Sequence, residues 1–194
     1  MMRILVISAI LNLICTVSYS IQPDVFVQST VNRASQVLSK NLSKEEKINE
    51  LKTIAKETVD IRGVGYYSLG SARNNLSEKQ QKIYFELFEK YFLKSFSSRL
   101  SEYTNPKIEV QGKKFLNENY TIVNSVLIGT SERPEVKIDW RVYTKDTNNP
   151  LIRDLIIEGL SLARTQKEEF TSILNSNEGD INVLFKTLEK FSQN

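Results

Sequence analysis

The sequence predicts one α+β domain in which helices come first and an antiparallel meander follows. Two observations carry this: apolar residues recur at helical spacing from Pro23 to about Tyr103, and they then alternate singly through four successive segments. A third bounds it: no repeat, low-complexity run or linker interrupts residues 21–194, so one unit is expected.

The first residues stand apart. MMRILVISAILNLICTVSYS carries Arg3, an apolar run from Ile4 to Val17, and the small residues Ser18 and Ser20. That is the pattern of a cleaved secretory signal, expected to span 1–20, and the run is shorter than the ~20 residues a membrane span needs. The only cysteine, Cys15, lies in it, and the chain has no histidine. Histidine-dependent triads and Cys/His zinc sites are therefore excluded, and an exported domain without disulfides must rely on its own core. The sequons at Asn41, Asn75 and Asn119 are attributed to the richness in Asn, and the absent disulfides favour a bacterial periplasm. Losing Arg3 with the signal lowers the formal charge from +3 to +2, too little to suggest nucleic acid.

Taken in order, Pro23-Asp24 starts a helix whose stripe is Val27, Val31, Ala34, Val37 and Leu38. Ser43-Lys44-Glu45-Glu46 reads as a capping box, with Ile48, Leu51, Ile54 and Ala55 buried behind it and an end before Gly63. Gly63, Gly65 and Gly70 lack nucleotide-loop spacing: a dinucleotide fingerprint needs glycine at Ser68, and a P-loop needs lysine where Ser71 stands. With Tyr66, Tyr67 and Leu69 interleaved, the segment reads as a close-packed bend or short helix.

Ser77-Glu78-Lys79-Gln80 is a second capping box, opening a helix that runs to about Tyr103 before Asn105-Pro106 stops it. Its apolar face is wide: Ile83, Tyr84, Leu87, Phe88, Tyr91, Phe92, Phe96 and Leu100. Such a face suits ordinary core, and it also suits the wall of an apolar cavity.

Strands are expected over Lys107 to Lys113, Tyr120 to Ile128, Val136 to Tyr143 and Leu151 to Ile157. In the third, Val136, Ile138, Trp140 and Val142 share one face while Lys137, Asp139, Arg141 and Tyr143 share the other. In the second, Tyr120, Ile122, Val126 and Ile128 alternate with Thr121, Val123, Ser125 and Leu127, so either face suits burial. At Glu158-Gly159 the period is read as turning helical, with Leu160, Ala163, Phe170, Ile173 and Leu174, and Asp180 caps a last helix of Ile181, Leu184, Phe185, Leu188 and Phe191.

The runs YYSLGSARNNLSEKQQKIYFELFEKYFLKSFSSRLSEY, PEVKIDWRVY and RDLIIEGLSLARTQKEEF resemble the periplasmic MlaC proteins, also called the toluene-tolerance or ABC-transporter auxiliary family. Matching positions are Asp154, Glu158, Gly159, Leu160, Ser161, Leu162 and Phe170; Pro150 departs from the family pattern, which has tryptophan there. The resemblance implies an NTF2-like twisted antiparallel four-stranded sheet packed against N- and C-terminal helices. It also implies a monomeric periplasmic carrier of phospholipid, without cofactor, metal or catalysis, that exchanges lipid with an outer-membrane lipoprotein complex and an inner-membrane Mce-type protein with its ABC transporter.

For the cavity the expected lining is Ile83, Leu87, Tyr91, Ile138, Trp140, Val142, Leu155, Ile157, Leu160 and Leu162, with Val126 and Ile128 as weaker choices. Arg133, Lys137 and Arg141 form a basic rim for partners or headgroup, or a solvated surface. Asp154 and Glu158 are read as turn and helix-start residues, not as paired catalytic carboxylates. A charged residue at Leu160 or Trp140 is expected to abolish lipid retention in a folded protein.

Overall fold

The computed structural model describes residues 20–131 and 133–193. The expected signal segment, apart from Ser20, lies outside the described residues.

Helix α1 (Pro23–Ser39) starts at a proline whose missing N–H costs nothing there, and it buries Val27, Thr30, Val31, Val37 and Leu38. Helix α2 (Lys44–Thr58) opens on the expected capping box: the Ser43 N–H donates to Glu46 Oε2 at 2.8 Å, and the Glu46 N–H donates to Ser43 Oγ at 3.2 Å. The glycine-bearing segment is indeed a short helix, α3 (Ile61–Ser68), capped by Asp60, whose Oδ1 accepts from the Gly63 N–H at 2.8 Å. A Cβ on Gly65 would stand 2.7 Å from Phe88 Cδ1, so the missing side chain is what lets α3 lie against the next long helix. That helix is α4 (Glu78–Leu100), reached through a 3-10 turn (Gly70–Asn75) and opened by the Ser77–Gln80 box. Tyr84 locks the pair, since its hydroxyl donates to the Gly65 carbonyl at 2.9 Å.

Five antiparallel strands follow in simple meander order: β1 (Ile108–Asn117), β2 (Tyr120–Leu127), β3 (Val136–Tyr143), β4 (Leu151–Ile157) and β5 (Leu160–Ser161). Four were expected. The difference lies at Glu158-Gly159, where φ values of 49° and 84° make a tight hairpin turn whose twist returns the chain along β4 instead of into a helix. Helix α5 (Leu162–Asn175) begins only after that fifth strand, and α6 (Ile181–Gln193) closes the chain. Pro150 is buried just before β4, a position where a ladder loses nothing by lacking an N–H.

The interior forms three clusters. Helices α3 to α6 share one, built on Tyr84, Phe88, Phe170, Leu174, Leu184 and Leu188. Helix α1 and the sheet share a second, in which Val27 and Val31 meet Val123, Ile138, Trp140, Val142 and Ile152. A third joins α1 to α2 through Val37, Leu38, Leu51 and Ile54. The helices packed on strands are α1, α3 and α5, whereas α4 packs mainly on α2, α3 and α6.

Candidate functional site

Strand register decides which residues can act together. Thr121, Val123, Ser125 and Leu127 pair with Val142, Trp140, Ile138 and Val136, so these eight share the face under α1. Leu155 and Ile157 join them from β4, and Leu160 extends the row from β5. The face is sealed at one end, where Val142 and Val123 are 0% exposed and Ile152 is 4%. At the other end it opens. Ile108, Leu127, Val136 and Ile157 are only half-buried, and Leu160 is 59% exposed. Burial thus falls along the strands, leaving an apolar band at one edge of the interior.

Charge borders that open end. Arg133, in the β2–β3 loop, holds its guanidinium 5.2 Å from the ring centroid of Tyr103, and Lys137, near the start of β3, is exposed. The Lys137 N–H donates to the Glu158 carboxylate, which ties the β4–β5 turn to β3. Arg141 is different. On the same face as Lys137, the one turned away from α1, it lies 3.5 Å from the buried Asp154 carboxylate, and its own Nε is buried without a partner among the described residues. Asp154 Oδ2 also accepts from Ser161 Oγ at 2.6 Å, and Oδ1 from the Ala163 N–H at 3.0 Å, so this carboxylate anchors the start of α5. Asp154 and Glu158 are therefore turn and helix-start residues.

The sequence-predicted lining is divided by the fold. Ile138, Trp140, Val142, Leu155, Ile157 and Leu160 lie together on the α1-covered face. Val126 and Ile128 do not: the alternation puts them on the far side of β2, where Val126 is buried outside the α1–sheet cluster and Ile128 is 36% exposed. On the α1-covered face β2 presents Val123 and Leu127. Polar Thr121 and Ser125 hid this, yet Ser125 is buried because its Oγ accepts from Trp140 Nε1 at 2.8 Å and donates to the Ile138 carbonyl at 3.0 Å. Ile83, Leu87 and Tyr91 pack on the helical cluster; Tyr91 donates its hydroxyl to Gln166 Oε1 at 2.8 Å, and burial pushes that phenol up. Leu162 is 41% exposed on the first turn of α5.

Sequence reading also missed a cluster on the opposite face. Arg153 donates from Nε to Asp60 Oδ2 and from Nη1 to Tyr120 Oη, both at 2.7 Å, and lies 3.8 Å from the Tyr143 ring centroid. With the Asp60 N–H on the Ile152 carbonyl at 2.9 Å, it pins the α2–α3 junction to β4. An Arg-Asp pair, Arg153-Asp154, in the middle of an otherwise apolar strand was the signal. Two grooves, of about 810 Å³ between α3 and α5 and about 440 Å³ near the start of α6, have walls rich in polar groups, and neither lies between helices and sheet. Among the described residues there is no metal-binding group of acids, and no helix is long and apolar enough to cross a membrane. What the open end presents is hydrocarbon surface with a charged border.

Comparison with known proteins accords with this arrangement. The intermembrane phospholipid transport system binding protein MlaC of Haemophilus influenzae is 24% identical over 161 residues, covering 79% of this chain and 75% of that protein. A phospholipid-binding protein from Ralstonia solanacearum, solved in complex with a phospholipid, superposes with a TM-score of 0.73 at 16% identity, over 88% of this chain and 96% of that one. The family model described as MlaC protein matches residues 28–190, most of the described chain. This chain belongs to the MlaC family.

Proposed function

We propose that this protein is a periplasmic phospholipid carrier, exported by a cleaved signal, that takes lipid between an outer-membrane lipoprotein complex and an inner-membrane Mce-type protein with its ABC transporter, and does no chemistry on it. Family membership and the names of the two relatives support phospholipid as the cargo. The observation that carries the reading is the fall in burial along the α1-covered face, from Val142 to Leu160.

Each methylene exposed to water costs about 0.8 kcal/mol, so two acyl chains cost on the order of 20 kcal/mol or more. A carrier has to cover them. Acyl chains laid on Leu127, Val136, Ile157 and Leu160 continue the core's own apolar surface, and the sealed Val142 end stops them. Arg133 and Lys137 then lie where an anionic headgroup emerges. Such a wall offers area without hydrogen-bonding direction, so it selects tails over any particular headgroup, and release requires partners that change the relative affinity of loaded and empty states.

Native mass spectrometry of protein purified from a Gram-negative periplasm is expected to show a bound phospholipid. Ile157→Asp and Leu160→Arg are expected to remove it while circular dichroism stays unchanged. Trp140 is unsuited to that test. It is 7% exposed and hydrogen-bonded, so a charge there unfolds the protein. Protein that purifies empty, or full occupancy in both folded variants, overturns the reading.

A further inference from the structure

The groove between α3 and α5 lies apart from the α1-covered sheet face, and its chemistry differs from that of the apolar band there. It measures about 810 Å³, and Tyr67, Arg164, Lys167, Thr171 and Asn175 line it together with a single acid, Glu168. Lys167 Nζ lies 5.4 Å from the Tyr67 ring centroid. Its stem passes over Gly70, where a Cβ would stand 3.1 Å from Lys167 Cε and φ is +57°, so both the backbone and the space call for glycine. The pattern continues along α3 away from the groove: Arg73 lies 5.0 Å from the Tyr66 ring centroid, and Arg62, one turn before Tyr66, lies 4.4 Å from that of Phe85.

Among the described residues, none of Arg62, Arg73, Arg164 and Lys167 has a carboxylate within 4.0 Å. Five other cations, such as Arg33 with Glu57 and Arg153 with Asp60, are held by a carboxylate, so these four are among those left available to an incoming acid. In a chain whose formal charge is only +3, Arg164 and Lys167 set two of these cations against the single acid of the groove, and Arg62 and Arg73 add two more on α3 and the turn after it. Stacking on aromatic rings orders three of them without neutralising them, which lowers the entropy lost when a carboxylate arrives.

We propose that this groove docks an extended acidic segment of a partner protein. Three features choose that occupant. Lys167 lies inside a concavity, where a chain can follow it and a flat bilayer cannot. The walls supply hydroxyl and amide groups from Thr171, Ser172 and Asn175 to meet main chain or carboxylate. None of the four cations is buried, so the surface suits a polyanion engaging several exposed charges rather than a small ion held in a pocket.

The test is fluorescence anisotropy of a labelled oligo-glutamate peptide with the purified protein at low salt. Binding is expected, weakened about tenfold or more by the double substitution Arg164→Ser/Lys167→Ser and by raising salt to about 0.5 M. Lys186→Ser/Lys190→Ser on α6 makes the same change in net charge and is expected to alter affinity less than about twofold. Arg62→Ser/Arg73→Ser serves should the first variant fail to fold by circular dichroism. Failure of the peptide to bind, or equal weakening in the α5 and α6 variants, overturns the proposal. So does binding to phosphatidylglycerol vesicles that needs Arg164 and Lys167 while the peptide does not bind, which makes the face a membrane surface. Lipid occupancy by native mass spectrometry is expected to be unchanged in all these variants, so failure here is distinguishable from failure of the carrier reading.

Discussion

Ser125 shows how one small polar residue governs a core position. Its hydroxyl is the acceptor for the buried Trp140 indole N–H, and it passes its own proton to the Ile138 carbonyl. Ser125→Ala leaves the indole unpaired beneath α1 and is expected to destabilise the protein by about 1–3 kcal/mol in denaturant titration; a change under about 0.5 kcal/mol would mean that the bond is not needed there. Asp24 offers a pH test. The Lys113 ammonium, donating to Oδ1 at 2.8 Å, holds the Asp24 carboxyl below its usual range, against the smaller opposing effect of burial. A group depressed in the folded state stabilises above its unfolded value near ~3.9 and loses that contribution as pH falls through the lower native one. Asp24→Asn is therefore expected to lower Tm at neutral pH and to flatten the fall in Tm between about pH 5 and pH 2. An acid dependence identical to that of the parent would remove Asp24 from the explanation.

At the scale of elements, local chemistry and layer packing are separable. Both capping boxes formed as read, because every atom involved lies within four residues of the next and needs no tertiary partner. β3 and β4 also start and stop where alternation placed them. Helix α3 depends on contact instead: Gly65 is there because Phe88 is there. Gly65→Ala should improve intrinsic helix propensity by about 1 kcal/mol, yet forcing a Cβ to 2.7 Å from the ring is expected to cost more, for a net loss of about 1–2 kcal/mol by thermal melting. A stabilised variant would show that Phe88 moves freely and that α3 is loosely held. The Glu158-Gly159 turn was misread for a related reason, since two successive positive φ values are a property of the hairpin it closes and not of either residue's polarity.

Across the whole molecule, the gradient from a sealed to an open end of one sheet face links fold to proposed function. If the proposed reading holds, substitutions at Val142 are expected to change stability, whereas those at Ile157 and Leu160 are expected to change bound lipid, and the two readouts separate them. Sequence by itself determined the α+β class, the order of helices and meander, the caps, and the side of β3 on which Trp140 lies, because each follows from short-range periodicity or hydrogen bonds. The family resemblance was legible for the same reason, in contiguous runs. Only the tertiary structure decided that β2 turns Val123 and Leu127 toward α1 and Val126 and Ile128 to the other face, that Ile83, Leu87 and Tyr91 face other helices, that Leu162 is at the surface, and that Arg141 is tied to Asp154. Those outcomes depend on strand register and on which layer meets which, and a side chain's own hydrophobicity carries no information about the neighbour that will cover it.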